Sequence, residues 1–591
     1  MKLITGLWNR IVGIMPGLAL LLFISLILVG CGGSTPAETS TSLPTKQPTE
    51  VQAATPTTAQ SQAAVPFQNR NIDPPALAQD SSDLVSASGN CAACHSGLQD
   101  ANGSELSFDT LWRASMMGHA AKDPYWLATV GSETEEFSEL EAVIADKCAT
   151  CHMPLAHFDA QVNDQPTLIL RDGFLNPGNL LHDLAMDGVS CNVCHQISGE
   201  NFDQLESYSG GYLIDAVNRD WGSRFSYGPF AIDETNAQIM LQGSGYQTAQ
   251  SEHITEAALC GTCHNLFTPY LDADNQIAGE FPEQTIYLEW QNSAFSGGGS
   301  CSSCHMPQVD EEPISNIAAT IQPYLRKHSF TGANAFMLKL LKANAETTGI
   351  TAEDGQMQAA IDRVMTQLSA PPNTVVRMGN VTLEEGLLDA EVTVSNGNGH
   401  KFPAGFPSRR VWLHVWVTDG SGETVFESGA VDADGRIVGN DNDTDPALYE
   451  PHYDLITDPE QVQIYEAIMH NTENEVTTTL LKASGYLKDN RMLPAGFSLA
   501  AVDPAIAPYG QVKEDENFVG GRDTIHYAVD VSQYAGPFTI NFELYYQSIG
   551  YRWAENLRGY TNEQSQQFFA LYDTADKTPI LIGAAQHFQE E

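Results

Sequence analysis

Five times the chain spells Cys-x-x-Cys-His. The units are CAACH (Cys91, Cys94, His95), CATCH (Cys148, Cys151, His152), CNVCH (Cys191, Cys194, His195), CGTCH (Cys260, Cys263, His264) and CSSCH (Cys301, Cys304, His305). Together they use ten of the 11 cysteines; the other is Cys31. Two thiols three positions apart reach the two vinyl groups of one haem and form thioethers, and the next residue faces the iron as proximal imidazole. The spelling therefore predicts five covalently attached haem c groups. Other chemistries fit less well. Structural zinc wants Cys-x-x-Cys knuckles in pairs, and five is odd. A disulfide framework gives no reason for a histidine after every second cysteine. A thioredoxin-like redox pair needs one such unit.

Each iron also has a second axial face. Of 16 histidines, five are proximal. His119, His157, His182, His253 and His328 lie in or beside the motif-bearing segment, and His400 lies further on. Imidazole on both faces gives a low-spin iron that exchanges electrons with little rearrangement, whereas methionine raises the potential. His119, His182, His328 and His400 are favoured as distal ligands over His157 and His253. Met116, Met117, Met153, Met186 and Met306 are possible substitutes, although Met153 and Met306 directly follow a proximal histidine and cannot swing round the same haem.

These groups have to be held by few residues. Five haems on about 260 residues must pack partly on one another, which lets a segment with little regular structure stay ordered. The stretches FDTLWRASMMGHAAKD and EQTIYLEWQNSAF read as helices, and both contain Trp-x-x-Ser (Trp112/Ser115 and Trp290/Ser293).

The five motifs, the WRASMMGHA stretch after the first of them, CATCHMP, CSSCHMP and RKHSFTG resemble the multihaem cytochromes c of the cytochrome c-554 type, over roughly residues 85 to 345. The resemblance implies covalent haems in stacked and angled pairs, mostly with two histidine ligands, passing electrons between partners. Five sites and a large C-terminal addition depart from the tetrahaem pattern.

Residues 335 to 370 carry apolar side chains at three- and four-residue steps and predict helix, ended by APPN at 370 to 373. Beyond it the period becomes two: Leu388, Ala390, Val392 and Val394; Ile525, Tyr527, Val529 and Val531; Phe538, Ile540, Phe542, Leu544 and Tyr546. RRVWLHVWVTDGSGETVFESG reads as two strands around a turn at Asp419 to Gly422. The predicted fold class is thus an α-plus-irregular multihaem domain (81–372) followed by a mostly β, sandwich-like domain with a helical tail (373–591). The loop SNGNGHKFPAGFPSRR, 395 to 410, resembles a Gly-His-x-Phe-Pro-x-Gly loop of other multihaem cytochromes. That resemblance implies that His400 ligates an iron across the domain interface, with Arg409 and Arg410 available to anionic propionates. His414 and His526 fall in strands, as packing or surface residues. The Asp-rich stretch 432 to 445 departs from an EF-hand, with Pro446 and His452 where glycine and glutamate belong, and reads as a solvated turn.

The N-terminus addresses the compartment. Lys2 and Arg10 precede an uncharged, mostly apolar run, 11 to 29, and then LVGC. This resembles a bacterial lipoprotein signal (1–30) with lipid on Cys31; the alternative is an uncleaved membrane anchor. Residues 31 to 80 are rich in Ser, Thr, Pro and Ala and read as a disordered tether. Both readings place the rest outside the cytoplasm, lipid-anchored at the periplasm or cell surface in the first. With 74 acidic against 28 basic residues, the net charge is -46. Nucleic acid is an unsuitable partner, and redox proteins with basic docking surfaces fit, as does self-association. The sequence supports an electron carrier. An alternative is a reductase or oxidase of a small nitrogen or sulfur compound with one open haem site, although every motif ends in His and none in Lys.

Overall fold

The computed structural model describes residues 77–590, apart from 319 and 372. The lipoprotein signal, Cys31 and most of the tether lie outside the described residues. Among the described residues no helix is long and apolar enough to cross a membrane.

Short helices dominate up to residue 369: α1 (Ser88–His95), α2 (Phe108–Arg113), α3 (Pro124–Glu136), α4 (Glu141–His152), α5 (Pro154–Val162), α6 (His182–Met186), α7 (Cys191–Gln196), α8 (Glu234–Ser244), α9 (Ala257–His264), α10 (Ile286–Gln291), α11 (Cys301–His305), α12 (Ala335–Ala343), α13 (Ala345–Thr348) and α14 (Asp354–Ser369). Each haem motif forms the last turn, or the whole, of a helix: α1, α4, α7, α9 and α11. A helical turn sets the two thiols and the imidazole in fixed directions from one short piece of backbone.

Caps account for several ends. Asp123 precedes α3, with Pro124 at the first helical position, and its carboxylate accepts from the N–H groups of Tyr125 (2.8 Å) and Trp126 (3.3 Å). Burial pushes this carboxyl up to about 6. Replacing Asp123 by Ala is expected to cost about 1 kcal/mol of stability, measured by denaturant unfolding. At α8, Asp233 caps the start and Gly245, at φ +79°, ends the helix where a side chain would be strained.

Two expected helices are shorter than the sequence pattern. After Arg113 the chain turns, because Ser115 Oγ donates to the Trp112 carbonyl and Gly118 lies against that same carbonyl. The 335 to 370 helix is three pieces, interrupted at Asn344 and at Gly349 (φ +67°). Three two-stranded sheets also interleave with the helices: β1 (Arg224–Gly228) with β2 (Tyr246–Gln250), β3 (Asn265–Leu271) with β4 (Ile277–Thr285), and β5 (Gln308–Pro313) with β6 (Ile321–Arg326). Alternation of apolar and polar residues does not mark them: β3 is buried at every third residue, Asn265, Thr268 and Leu271, and β4 buries Glu283 and Thr285 beside Phe281.

From β7 onward strands dominate: β7 (Thr374–Glu384), β8 (Leu387–Asn396), β9 (Arg410–Thr418), β10 (Thr424–Ser428), β11 (Leu455–Ile456), β12 (Ile464–Tyr465), β13 (Ala467–His470), β14 (Val476–Thr477), β15 (Gly485–Asp489), β16 (Arg522–Asp530), β17 (Phe538–Gln547) and β18 (Ile580–Gln589). One sheet runs β10-β9-β17-β18, with β12 also on β9; a second runs β11-β16-β8-β7; a third is β14-β13-β15. Alternation sets the register: β8 reads buried at Leu388, Ala390, Val392 and Val394, and β17 at Phe538, Ile540, Phe542 and Leu544. These two faces share one apolar core, which also takes in α12 and α14. The tail is not only helical. After α15 (Asp441–Thr444) within the strands, α16 (Tyr551–Glu555) and α17 (Glu563–Tyr572) lead back to β18, which pairs antiparallel with β17.

The Asp-rich stretch is held from within. Asp443, buried, pairs with Arg410 at 2.8 Å and accepts from the Ile437 N–H, while Asp432 and Asp445 close turns on neighbouring backbone N–H groups. Arg410 is therefore spent on Asp443, Gln547 and the Gly435 carbonyl, which corrects its expected availability to a propionate. His414 and His526 stand in β9 and β16 beside Glu427 and Glu391.

Candidate haem-binding sites

The five motif helices converge. The thiols of Cys91 and Cys191 lie within interaction distance, as do those of Cys151 and Cys263, and of Cys260 and Cys301; Cys194 is close to Cys263. The first motif thus adjoins the third, the third adjoins the fourth, and the fourth adjoins both the second and the fifth. The imidazoles repeat the order: His95 is near His195, and His264 is near His152 and His305. Motifs up to 214 positions apart, from Cys91 to His305, form one connected group.

Four of the five proximal rings are oriented alike. Nδ1 of His95 bonds to the Ile314 carbonyl (2.6 Å), that of His152 to Ala120 (2.9 Å), that of His195 to Tyr227 (2.6 Å) and that of His305 to Thr331 (2.6 Å). A carbonyl at Nδ1 puts the proton there and leaves Nε2 as a bare lone pair, the arrangement of a ligating imidazole. Burial reinforces it, pushing His152 and His264 down to about 4 so that both stay neutral. Trp126 stacks on His152 at 4.2 Å, and Phe108 lies between His95 and His328 at 5.8 and 4.6 Å.

Two spare histidines face proximal ones. The rings of His195 and His328 are 6.3 Å apart, 9° from parallel; those of His305 and His400 are 6.3 Å apart at 16°. Two imidazoles bonded through Nε2 to one metal ion at about 2 Å place their centroids roughly 6 Å apart. Both spare rings also have Nδ1 on a carbonyl, His328 on Arg326 (2.8 Å) and His400 on Lys401 (2.9 Å). The residues therefore fit iron held between two histidines at these two positions.

The other four spare histidines differ. His182 has Nδ1 on the Phe174 carbonyl (2.8 Å) and lines a cavity of about 540 Å³ with Lys122, Arg113, Trp112, Met186 and Asp187. His119 is buried, its Nδ1 is unpartnered, its Nε2 lies 3.4 Å from Met357 Sδ, and burial pushes it to about 3. His157 commits Nε2 to Asp146 (2.9 Å) and Thr150 (3.1 Å). His253 commits both nitrogens, to Ser251 (2.6 Å) and the Ile197 carbonyl (2.8 Å). In this arrangement the Nε2 of His157 is engaged by Asp146 and Thr150 and that of His253 by the Ile197 carbonyl, so either ring would have to release its partner before it could ligate.

The thiols do not gather into a zinc site. Among the described residues, the group of three or more His, Cys, Asp or Glu with ligand atoms within 4.8 Å of one another is His452, Asp515 and Asp523. There Nδ1 of His452 accepts from the amides of Gln463 (2.9 Å) and Asn490 (3.0 Å), whose oxygens are fixed by the N–H groups of Tyr453 and Glu466. Its Nε2 then carries the proton and donates to Asp515 (3.0 Å), so the trio is a hydrogen-bonded core network.

Two buried carboxyls stand near Cys148. Glu133 on α3 accepts from the N–H groups of Leu480 (2.6 Å) and Leu481 (3.3 Å), and Glu283 lies on β4. Burial raises them to about 8 and about 7. A carboxyl raised on folding stabilises fully below its unfolded value and loses that contribution as pH rises through the folded one. Stability is expected to fall from about pH 5 to about pH 8, and Glu133→Gln to remove part of that slope, read as melting temperature against pH.

No family model matches the chain, and no curated protein matches it. The crystal structure of a penta-heme cytochrome c552 from Thermochromatium tepidum is similar at 15% identity and a TM-score of 0.46, covering 86% of this chain and 99% of that chain.

Proposed function

We propose that the protein is an extracytoplasmic pentahaem c-type cytochrome that carries electrons between redox partners. When bound, each haem supplies a one-electron iron couple. The chain's own part is to attach, orient and crowd the five groups. The cysteines of each motif fix position. The carbonyl bonds at Nδ1 of four proximal histidines fix the tautomer. His328 and His400 would supply the opposite face at the third and fifth motifs, with His119 and His182 as the remaining histidine candidates. The observation that carries this reading is the contiguity of the five motifs together with the two near-parallel histidine pairs. The acidic surface suits basic partners, with association slowing as salt rises. A lipid on Cys31 would hold the chain at a membrane face, and a β-sandwich from residue 373 would form its second domain.

One observation favours the enzymatic alternative. With His157 and His253 engaged, four spare histidines serve five irons, leaving one position open to methionine or to a small substrate. Intact mass and low-temperature EPR of protein from a host that attaches haem decide both points. A mass increment of five haems with wholly low-spin signals supports the carrier. A stoichiometric high-spin signal that binds cyanide or nitrite supports the enzyme, and a colourless protein sinks both.

A further inference from the structure

Lys401, next to His400, is a lysine with a wholly buried side chain. Its Nζ donates to Asp489 Oδ2 (2.7 Å) and to the Ala507 carbonyl (3.3 Å). Arg491 forks onto the same carboxylate, Nε to Oδ1 and Nη2 to Oδ2 at 2.8 Å each. Arg491 also reaches Glu289 Oε1 (3.2 Å), which accepts from Thr285 Oγ1 (3.1 Å), while Glu289 Oε2 accepts from the Lys401 N–H (3.1 Å). Two cations and two anions, all nearly or fully buried, cancel one another away from water. Such a cluster is weak evidence for stability, because apolar residues of similar size often do as well; its better-attested use is to fix one arrangement.

The arrangement it fixes is the peptide that carries His400. The carbonyl of His400 accepts from Asn396 Nδ2 (2.9 Å), and the N–H of the same peptide unit is gripped by Glu289. The next carbonyl, that of Lys401, is the partner of His400 Nδ1. Glu289 stands on α10, between the fourth and fifth motifs, whereas Lys401, Asp489 and Arg491 belong to the strand-rich region. The charges thus tie the loop bearing the spare histidine to the segment bearing its proximal counterpart.

We infer that Glu289, Arg491, Asp489 and Lys401 are positioning residues that set His400 at its distance and angle from His305. This rests on the reading of His305 and His400 as one axial pair. The test uses full-length holoprotein carrying His400→Ala, Glu289→Gln, Arg491→Gln or the Glu289→Gln/Arg491→Gln pair, with low-temperature EPR and redox titration. His400→Ala should turn one further haem high-spin. The paired variant, with the Lys401–Asp489 bond intact, should keep the same haem-to-protein ratio. It should shift the g values and potential of one haem only, with part of that haem high-spin. If His400→Ala acts and the paired variant matches wild type, the positioning role is overturned and the ligand reading stands. If His400→Ala also leaves every haem unchanged, both are overturned. Should the paired variant fail to accumulate, Glu289→Asp, which keeps the charge but shortens the reach to the Lys401 N–H, is read against the same outcomes.

Discussion

In the His328→Ala protein one low-spin ferric signal is expected to disappear and a high-spin signal of equal intensity to replace it. His328 is 6.3 Å from His195 and near-parallel to it, with Nδ1 tied to the Arg326 carbonyl. Phe108 at 4.6 Å and Phe330 at 5.5 Å wall it in. Burial holds its titration down at about 4, so the ring stays neutral, the form able to ligate, across ordinary pH. His328→Met should instead keep the iron low-spin and raise that site's potential by a sizeable part of the ~0.8 V that axial ligands span. The third motif adjoins both the first and the fourth, so a potential step there should also slow electron equilibration between the two ends of the group. EPR and potentiometric titration of the two variants check this. Unchanged spectra in both would remove His328 from the iron.

The largest stability effect is expected at Asp489. Burial alone would raise its carboxyl, but Arg491 and Lys401 beside it hold it well below the usual carboxylate range. Asp489→Asn leaves two buried cations facing the single carboxylate of Glu289. Removing one partner of a buried charge cluster typically costs about 3–5 kcal/mol, and a loss of that size is expected in denaturant unfolding. The acid limb should change too. A depressed carboxyl contributes stability above its unfolded value, near 4, and loses it as pH falls further. The wild type should therefore weaken below about pH 4 along a slope that Asp489→Asn lacks.

Much of the molecule is legible in the sequence where chemistry or periodicity is local. The cysteine spacing is set by covalent geometry within one helical turn, so the attachment residues are readable without a fold. Alternation in β8, β16 and β17 is readable because one face of each is buried. The remainder depends on partners distant in sequence. Nothing near His328 names His195, and nothing near His253 shows that Ile197 will take its Nε2. β18 is hidden by Gly583, Ala584 and Ala585, which blur its pattern. Lys401 is followed by the apolar run Phe402 to Pro407, and once buried it needs an anion, but Asp489 and Glu289 lie 88 and 112 positions away.

The placement of His400 bears on the order of biosynthesis. A polypeptide made from its N-terminus presents all five attachment sequences, the last at His305, before residue 400 exists. On the axial-pair reading, a porphyrin joined to Cys301 and Cys304 waits for its second imidazole until the strands around β8 and β9 have closed. A nascent chain stopped short of them would carry its full complement of pigment yet show one site in an immature spin state, so the strand-rich half would act as the step that certifies a finished molecule.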